Sequence, residues 1–486
     1  MPETGRRMMP RETRPSPAGV AGDLVAFLVL SAFAAAIWLP AIGTPFWGDD
    51  YVYLYGARVA NLAGVPWWQT FWPSVPVQFW RPLSQEAWWR VVEGAMAGDV
   101  RIAHMAALGL HLTGAAAVGL LGGTLARVCR WEQPVSVGLL SGGLYGVLAV
   151  GLLPVHWVAA VNSPVLVAFT GSAASAWLAA SIRQGPLRVM LLATVPPFFA
   201  LALLSKESAI LTPGMLFGLS LFACSRMRRG EWITLAVCIV TGLVWLWLRS
   251  KVTVPPAPEY AYAFGGNLLR NAAALAAWLL NVPREALRLA ATGGLRLGAA
   301  WAAAVAVPVI AAWGLALARG GLSRLSHRQW LLVLVLPILA YAPYFPLAWN
   351  SYAYYAAIAA IVPAIALARA LQGRRALLPA VLLIGASSWL AVEGTRRLDH
   401  PGLIGRARWA ETTLRQLESK HPVAGSLSVH VADDQRFYAI GMYGLAWRLG
   451  VPISRIHPVG DCAQAADACL DFRADGSWVM HPAVDP

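Results

Sequence analysis

Residues 21–51 read AGDLVAFLVLSAFAAAIWLPAIGTPFWGDDY. The first twenty are apolar apart from Asp23 and Ser31, and as a helix rising 1.5 Å per residue they are long enough to cross about 30 Å of hydrocarbon. A few residues beyond this run comes Phe46-Trp47-Gly48-Asp49-Asp50-Tyr51, with two adjacent carboxylates. Acidic groups at a membrane surface are costly to desolvate unless they face a wet cavity or a partner. Span and acidic pair together predict a membrane protein with a polar site at one face of the bilayer.

The rest of the chain extends that reading. Of its 486 residues 58% are hydrophobic and 13% charged, too few charges for a water-soluble globule of this size. Further apolar runs near 102–126, 135–153, 164–182, 187–204, 208–224, 233–248, 298–318, 330–348, 353–371 and 376–392 bring the expectation to about eleven spans. The net charge of +14 would suit nucleic-acid binding, but its distribution follows the spans. Arg6, Arg7, Arg11 and Arg14 precede the first; Arg127 and Arg130, Arg183 and Arg188, Arg226, Arg228 and Arg229, Arg319, Arg324 and Arg328, then Arg374 and Arg375 occupy every second gap. That positive-inside pattern predicts a cytoplasmic N-terminus, an extracytoplasmic C-terminus and no nucleic-acid partner. Many later spans argue against a cleaved signal peptide.

Three regions are expected: a cytoplasmic tail at 1–20, a membrane region at 21–395 with a long outer loop at 41–101, and a soluble extracytoplasmic unit at 396–486. In the last, charges return and apolar runs shorten, which reads as a helix near 404–420, a strand at Leu427–Ala432, a helix near 436–449 and a hairpin turning at Asp475-Gly476. Cys462 and Cys469 lie there, and a disulfide between them suits an oxidising compartment. The outer loop holds Trp47, Trp67, Trp68, Trp72, Trp80, Trp88 and Trp89, and Leu83–Met96 suits an interfacial amphipathic helix. The stretch 268–295 reads as another interfacial helix.

Several residue groups are candidates for chemistry. In the Asp49-Asp50 pair one carboxylate suits a general base taking a proton from an attacking hydroxyl, with the other orienting it, binding acceptor or holding a metal. The plain alternative is a solvated loop with an N-cap. Ser205-Lys206-Glu207-Ser208 sets a lysine where it can neutralise a phosphate leaving group; alternatively the pair is a solvated turn. Arg81, in Phe79-Trp80-Arg81-Pro82-Leu83, is a clamp for phosphate or carboxylate, or an ion-pair partner of Glu86 or another acid. His156, in Pro154-Val155-His156, reads as a phosphate, sugar or metal contact or as a packed residue. His104 and His111 share a helix face, which packing explains as well as ligation. Tyr341, Tyr344, Phe345, Trp349, Tyr352, Tyr354 and Tyr355 form an interfacial belt or a surface on which sugars stack.

In order and wording, Asp49-Asp50, Arg81-Pro82-Leu83-Ser84, His104 through His111, Pro154-Val155-His156 and Ser205-Lys206-Glu207 resemble the GT-C glycosyltransferase superfamily. Within it they are similar to bacterial relatives of the protein O-mannosyltransferases and of the transmembrane O-mannosyltransferases acting on cadherins. The resemblance covers about the first 220 residues. It implies an all-α polytopic fold in a bacterial inner membrane, a polyprenyl-phosphate-linked sugar as donor, and inverting transfer to a hydroxyl of a protein or of a glycan or lipid. It makes Asp49 the base, Asp50 its partner and Lys206 a phosphate contact, with Arg81 and His156 as further donor-phosphate residues and Glu207, His104 and His111 in support. Ala107 and Val158 depart from the family pattern, which leaves a divalent metal and the acceptor type open. A flippase or exporter of lipid-linked sugars is the main rival, but the informative charges lie at span ends rather than mid-membrane, and no half-repeat is visible. A non-catalytic assembly or receptor protein is a second rival.

Overall fold

The computed structural model describes residues 17–482 apart from 74–75, 256, 349–350, 400–401, 421–424 and 466. The four N-terminal arginines, Trp349 and the last four residues fall outside the described residues.

Helix α1 spans Pro17–Trp38, and the acidic pair opens a second helix, α2 (Asp49–Leu62), where a solvated loop was one expectation. The expected amphipathic helix over 83–96 is instead a π-helical turn, Pro82–Ala87, running into the short α3 (Trp88–Glu93). It is not a surface element: Trp80 and Trp89 are core residues, while Trp67, Trp68 and Trp72 are exposed. The bundle continues with α4 (Val100–Val128), α5 (Pro134–Val147), α6 (Leu152–His156), α7 (Asn162–Ser181), α8 (Gly185–Ser205), α9 (Thr212–Phe222) and α10 (Arg229–Val252). α5 and α6 meet at a bend of 53°. α4 and α5 touch through glycines. A Cβ on Gly138 would lie 2.8 Å from the Gly119 carbonyl oxygen, the close backbone approach that small residues give membrane helices.

The stretch read as one interfacial helix is two, α11 (Gly266–Leu279) and α12 (Arg284–Ala291), broken at Asn281-Val282-Pro283. Asn281 has a positive φ and is fully buried; its carboxamide accepts from Ala149 N and donates to Ser388 Oγ, so this corner is pinned into the bundle. α13 (Leu295–Ala316), α14 (His327–Tyr341), α15 (Ile361–Leu371) and α16 (Leu377–Arg397) complete it.

Among the described residues seven helices are long and apolar enough to cross a membrane, or eight if the bent pair makes one span. The chain is an integral membrane protein. All eleven expected runs carry helix, but α9, α14 and α15 have only 11, 15 and 11 residues, so the count by length stands at seven to eight.

After the bundle come α17 (Leu403–Ser419), β1 (Leu427–Val431), α18 (Asp434–Phe437), α19 (Gly441–Leu449), β2 (Ile456–Pro458), β3 (Ala468–Phe472) and β4 (Trp478–His481). The sheet order is β2-β1-β3-β4, with β1 parallel to β2 and β3, and β4 antiparallel to β3 across the Asp475-Gly476 turn. Cys462 and Cys469 form a disulfide. This unit sits on the first long loop: Arg58 Nη1 donates to the Trp447 carbonyl (2.7 Å), the Tyr55 hydroxyl accepts from Ile453 N (3.0 Å), and the Tyr51 and Trp447 rings pack at 5.9 Å.

Candidate active site

The two adjacent aspartates have different surroundings. Asp50 is fully buried; its carboxylate accepts from Ala159 N (2.7 Å) and Trp47 N (3.1 Å), locking the start of α2 onto the turn after α6. Asp49 begins α2, where the helix dipole favours negative charge, and its Oδ1 accepts from the Tyr438 hydroxyl at 2.8 Å. Burial raises the Asp49 pKa, with the Tyr438 hydrogen bond and the Arg81 charge holding it partly back. A carboxylate raised in this way is a better proton acceptor near neutral pH. Gly48 makes the geometry accessible: its φ is +59°, and a Cβ there would sit 3.0 Å from the Tyr438 ring.

Arg81 is paired not with Glu86 but with Glu207, through Nε to Oε2 (2.7 Å) and Nη2 to Oε1 (2.5 Å). Such a two-pronged contact fixes both planes. Burial alone would raise the Glu207 pKa, but the Arg81 guanidinium, its hydrogen bonds and the Lys206 charge outweigh it and hold the carboxyl down at about 2. Lys206 is not in a solvated turn. It is 1% exposed, its Nζ donates to Ser163 Oγ at 2.7 Å, and it sits 4.2 Å from the Tyr354 ring centroid and 5.1 Å from that of Tyr355. Burial, with Arg81 nearby, pushes its ammonium well below the usual lysine range. A cavity of about 540 Å³ adjoins these groups; Arg81, Glu207, Ser208, Arg249, Tyr260, Tyr344 and Tyr355 give it a polar wall, and Leu246, Val254, Pro255 and Leu347 an apolar one.

The structure thus brings together Asp49, Arg81, Lys206 and Glu207 from three separate stretches of chain, with Asp50 behind Asp49. The histidines form a different group. His104 Nδ1 donates to the Val155 carbonyl, His111 Nε2 to that of Gly146, and His156 Nδ1 to that of Leu152. Trp38 packs its edge against His111 and His156, and the Phe46 ring lies over His104. Among the described residues no hydrogen bond links these histidines to Arg81, Lys206 or the cavity wall, and no cluster of three or more His, Cys, Asp or Glu side chains has the spacing to hold a metal. A larger groove of about 670 Å³ between α1, α4 and α5 is apolar except for Ser31 and Arg127 and holds none of the candidate residues. Tyr438 and Tyr260 reach the site without any sequence signal: one lies in the soluble unit, the other in the loop after α10.

No protein-family model and no curated protein sequence matches the chain. Solved structures do. ArnT from Cupriavidus metallidurans, in the apo state, aligns over 93% of each chain with a TM-score of 0.52 and 14% identity. The fold is similar to that of ArnT. The many-helix membrane fold expected from sequence is shared with that structure, and the likeness does not reach the mannosyltransferase relatives in particular. ArnT from the same organism bound to undecaprenyl phosphate covers the same shares at 13% identity but superposes at a TM-score of only 0.29.

Proposed function

We propose that this protein is an inverting glycosyltransferase that moves a sugar from a polyprenyl-phosphate carrier to a hydroxyl acceptor at the outer face of the membrane. The carrying observation is the meeting of Asp49, raised in pKa, with the Arg81–Glu207 pair beside a cavity that is polar on one wall and apolar on the other. In this reading the acceptor hydroxyl gives its proton to Asp49 as its oxygen attacks the anomeric carbon. The bond from that carbon to the phosphate oxygen breaks, and the departing polyprenyl phosphate keeps the electron pair. Arg81 and Arg249 stabilise the growing phosphate charge, and a phosphate anion would favour the protonated form of Lys206 behind the Tyr354–Tyr355 wall, adding to that potential. The prenyl chain leaves the cavity past Leu246, on the face of α10 where Trp247 and Leu243 are exposed. Tyr260 and Tyr355 offer ring faces to the sugar. The unit at 396–486 caps the site from the extracytoplasmic side.

Purified protein given a radiolabelled polyprenyl-phosphate sugar and a mixed acceptor fraction should release free polyprenyl phosphate and label the acceptor. Movement of intact lipid-linked sugar between leaflets without release would instead support a flippase.

A further inference from the structure

A second basic cluster lies one tyrosine away from Asp49. Arg284 and Arg288 are one turn apart on α12 and so share a face; Arg406 joins them from α17. The Arg284 guanidinium lies 4.0 Å over the Tyr352 ring, and Arg288 Nη2 donates to Gln435 Oε1 at 2.9 Å. Arg406 Nε is buried with no hydrogen-bond partner. Glu285 is within electrostatic reach of all three, yet among the described residues none of the three has a carboxylate within 4.0 Å. Arg58, Arg81 and Arg448, at the same end of the molecule, each hold one. The other groups facing the cluster are Tyr352, Tyr355 and Tyr438, the last of which donates its hydroxyl to Asp49.

Three guanidiniums crowded round one carboxylate leave an excess of positive charge. The strain falls on Arg406, which burial, Arg288 and Arg284 together push down to about 10, and on Arg288, which burial and Arg284 push down, while for Arg284 burial is outweighed by Tyr352 and Glu285, which raise it. Partly buried like charges repel unless a counter-ion arrives, and the guanidinium fork matches an oxyanion. We infer that Arg284, Arg288 and Arg406 form a subsite for an oxyanion, phosphate or carboxylate, carried by the acceptor next to the hydroxyl that Asp49 deprotonates. The subsite itself stands on the charge geometry; that its occupant is the acceptor rests on the transferase reading above.

The test uses full-length protein in a neutral detergent, with thermal unfolding followed in sodium phosphate, acetate or chloride at equal ionic strength. Phosphate or acetate should raise the unfolding temperature above that in chloride. Arg288→Gln/Arg406→Gln should lose most of that increment, with affinity weakened on the order of tenfold or more, since charge-assisted hydrogen bonds are the strong ones. Without oxyanion the double variant should unfold no earlier than the parent, and Arg288→Lys/Arg406→Lys should keep part of the increment. Lys206→Met should keep nearly all of it, which separates this subsite from the cavity. An unchanged increment in the double glutamine variant, or its early unfolding in chloride, overturns the subsite. Equal stabilisation by phosphatidylglycerol nanodiscs over phosphatidylcholine nanodiscs, lost in the same variant, gives the site to bulk lipid and overturns the acceptor assignment. In turnover assays the double variant should raise the acceptor KM and leave slow hydrolysis of the donor by water unchanged. A parent protein that binds oxyanion here but transfers no sugar overturns the transferase reading and leaves the subsite standing.

Discussion

Around Glu207, Arg81 and Lys206 share one carboxylate, and Arg81 grips it with two hydrogen bonds; around Glu285, three arginines share one carboxylate and none reaches it. In the first cluster Arg81 and Glu207 cancel and burial pushes the Lys206 ammonium down, so less charge is left unmatched and the pair holds its own geometry. The second carries its imbalance unresolved. A balanced pair resists removal of either member, whereas a crowd of like charges tolerates or gains from losing one. Asp49 lies between the two and feels the charge of the first directly and the second through Tyr438.

The largest expected effect comes from removing the proposed base, which lies near both clusters. Asp49→Asn should lower turnover on the order of 10² to 10⁴-fold, the usual cost of losing a general base. The unfolding temperature should hardly move, and near-normal turnover would shift the base elsewhere. Arg81→Gln tests the balanced side. It strands Glu207, whose side chain is about a third exposed, and should cost on the order of 1–3 kcal/mol in denaturant unfolding. A loss no greater than that of Arg406→Gln would erase the contrast between the clusters.

That pair also has a pH signature. The folded Glu207 carboxyl is depressed to about 2 from an ordinary 4.5, so its contribution is fully present above 4.5 and is lost as pH falls towards 2. For this group the parent's stability should therefore be flat from pH 7 to about 5 and fall below it. In Arg81→Gln burial is no longer offset by the guanidinium, so that acid loss should be smaller and the gap should begin to close at a higher pH; a gap that does not change down to pH 3 would count against the pair.

Asp50→Asn should cost stability too, about 1–3 kcal/mol, because one of two buried amide donors loses its acceptor. Lower stability with Asp49 left in place is the inverse of the Asp49→Asn result. The smallest effect belongs to Cys462→Ser. Opening a short loop in the soluble unit should cost about 2 kcal/mol there, and thiol labelling of the parent should rise only after reduction.

Much of this arrangement was readable in the chain. Apolar runs marked the helices because a span needs length and hydropathy, both local properties. The parallel strand at 427–431 and the hairpin at Asp475-Gly476 were legible from short β-rich runs and turn residues. Helix α2 entered the reading only as a helix that Asp49 or Asp50 would cap, because Asp49-Asp50-Tyr51-Val52-Tyr53 is polar and mixed and only burial against Trp447 and Ala159 gives it a core face. Arg81 and Glu207 were singled out separately, but a pair 126 residues apart leaves no trace in either neighbourhood. The arginines of α12 were visible only as charges too costly for a span. Their meeting with Arg406 depends on how the soluble unit lies on the bundle.

Tyr438, the hydrogen-bond partner of Asp49, is 389 residues further along the chain. A ribosome therefore supplies the carboxylate's hydrogen-bond partner only after the described apolar helices, from α1 to α16, have been made. Truncated products, or chains whose last unit stays on the wrong side of the bilayer, would hold Asp49 without that partner. Under the transferase reading, one hydroxyl then ties the proposed base to the soluble unit, and a chain without that unit should turn over more slowly.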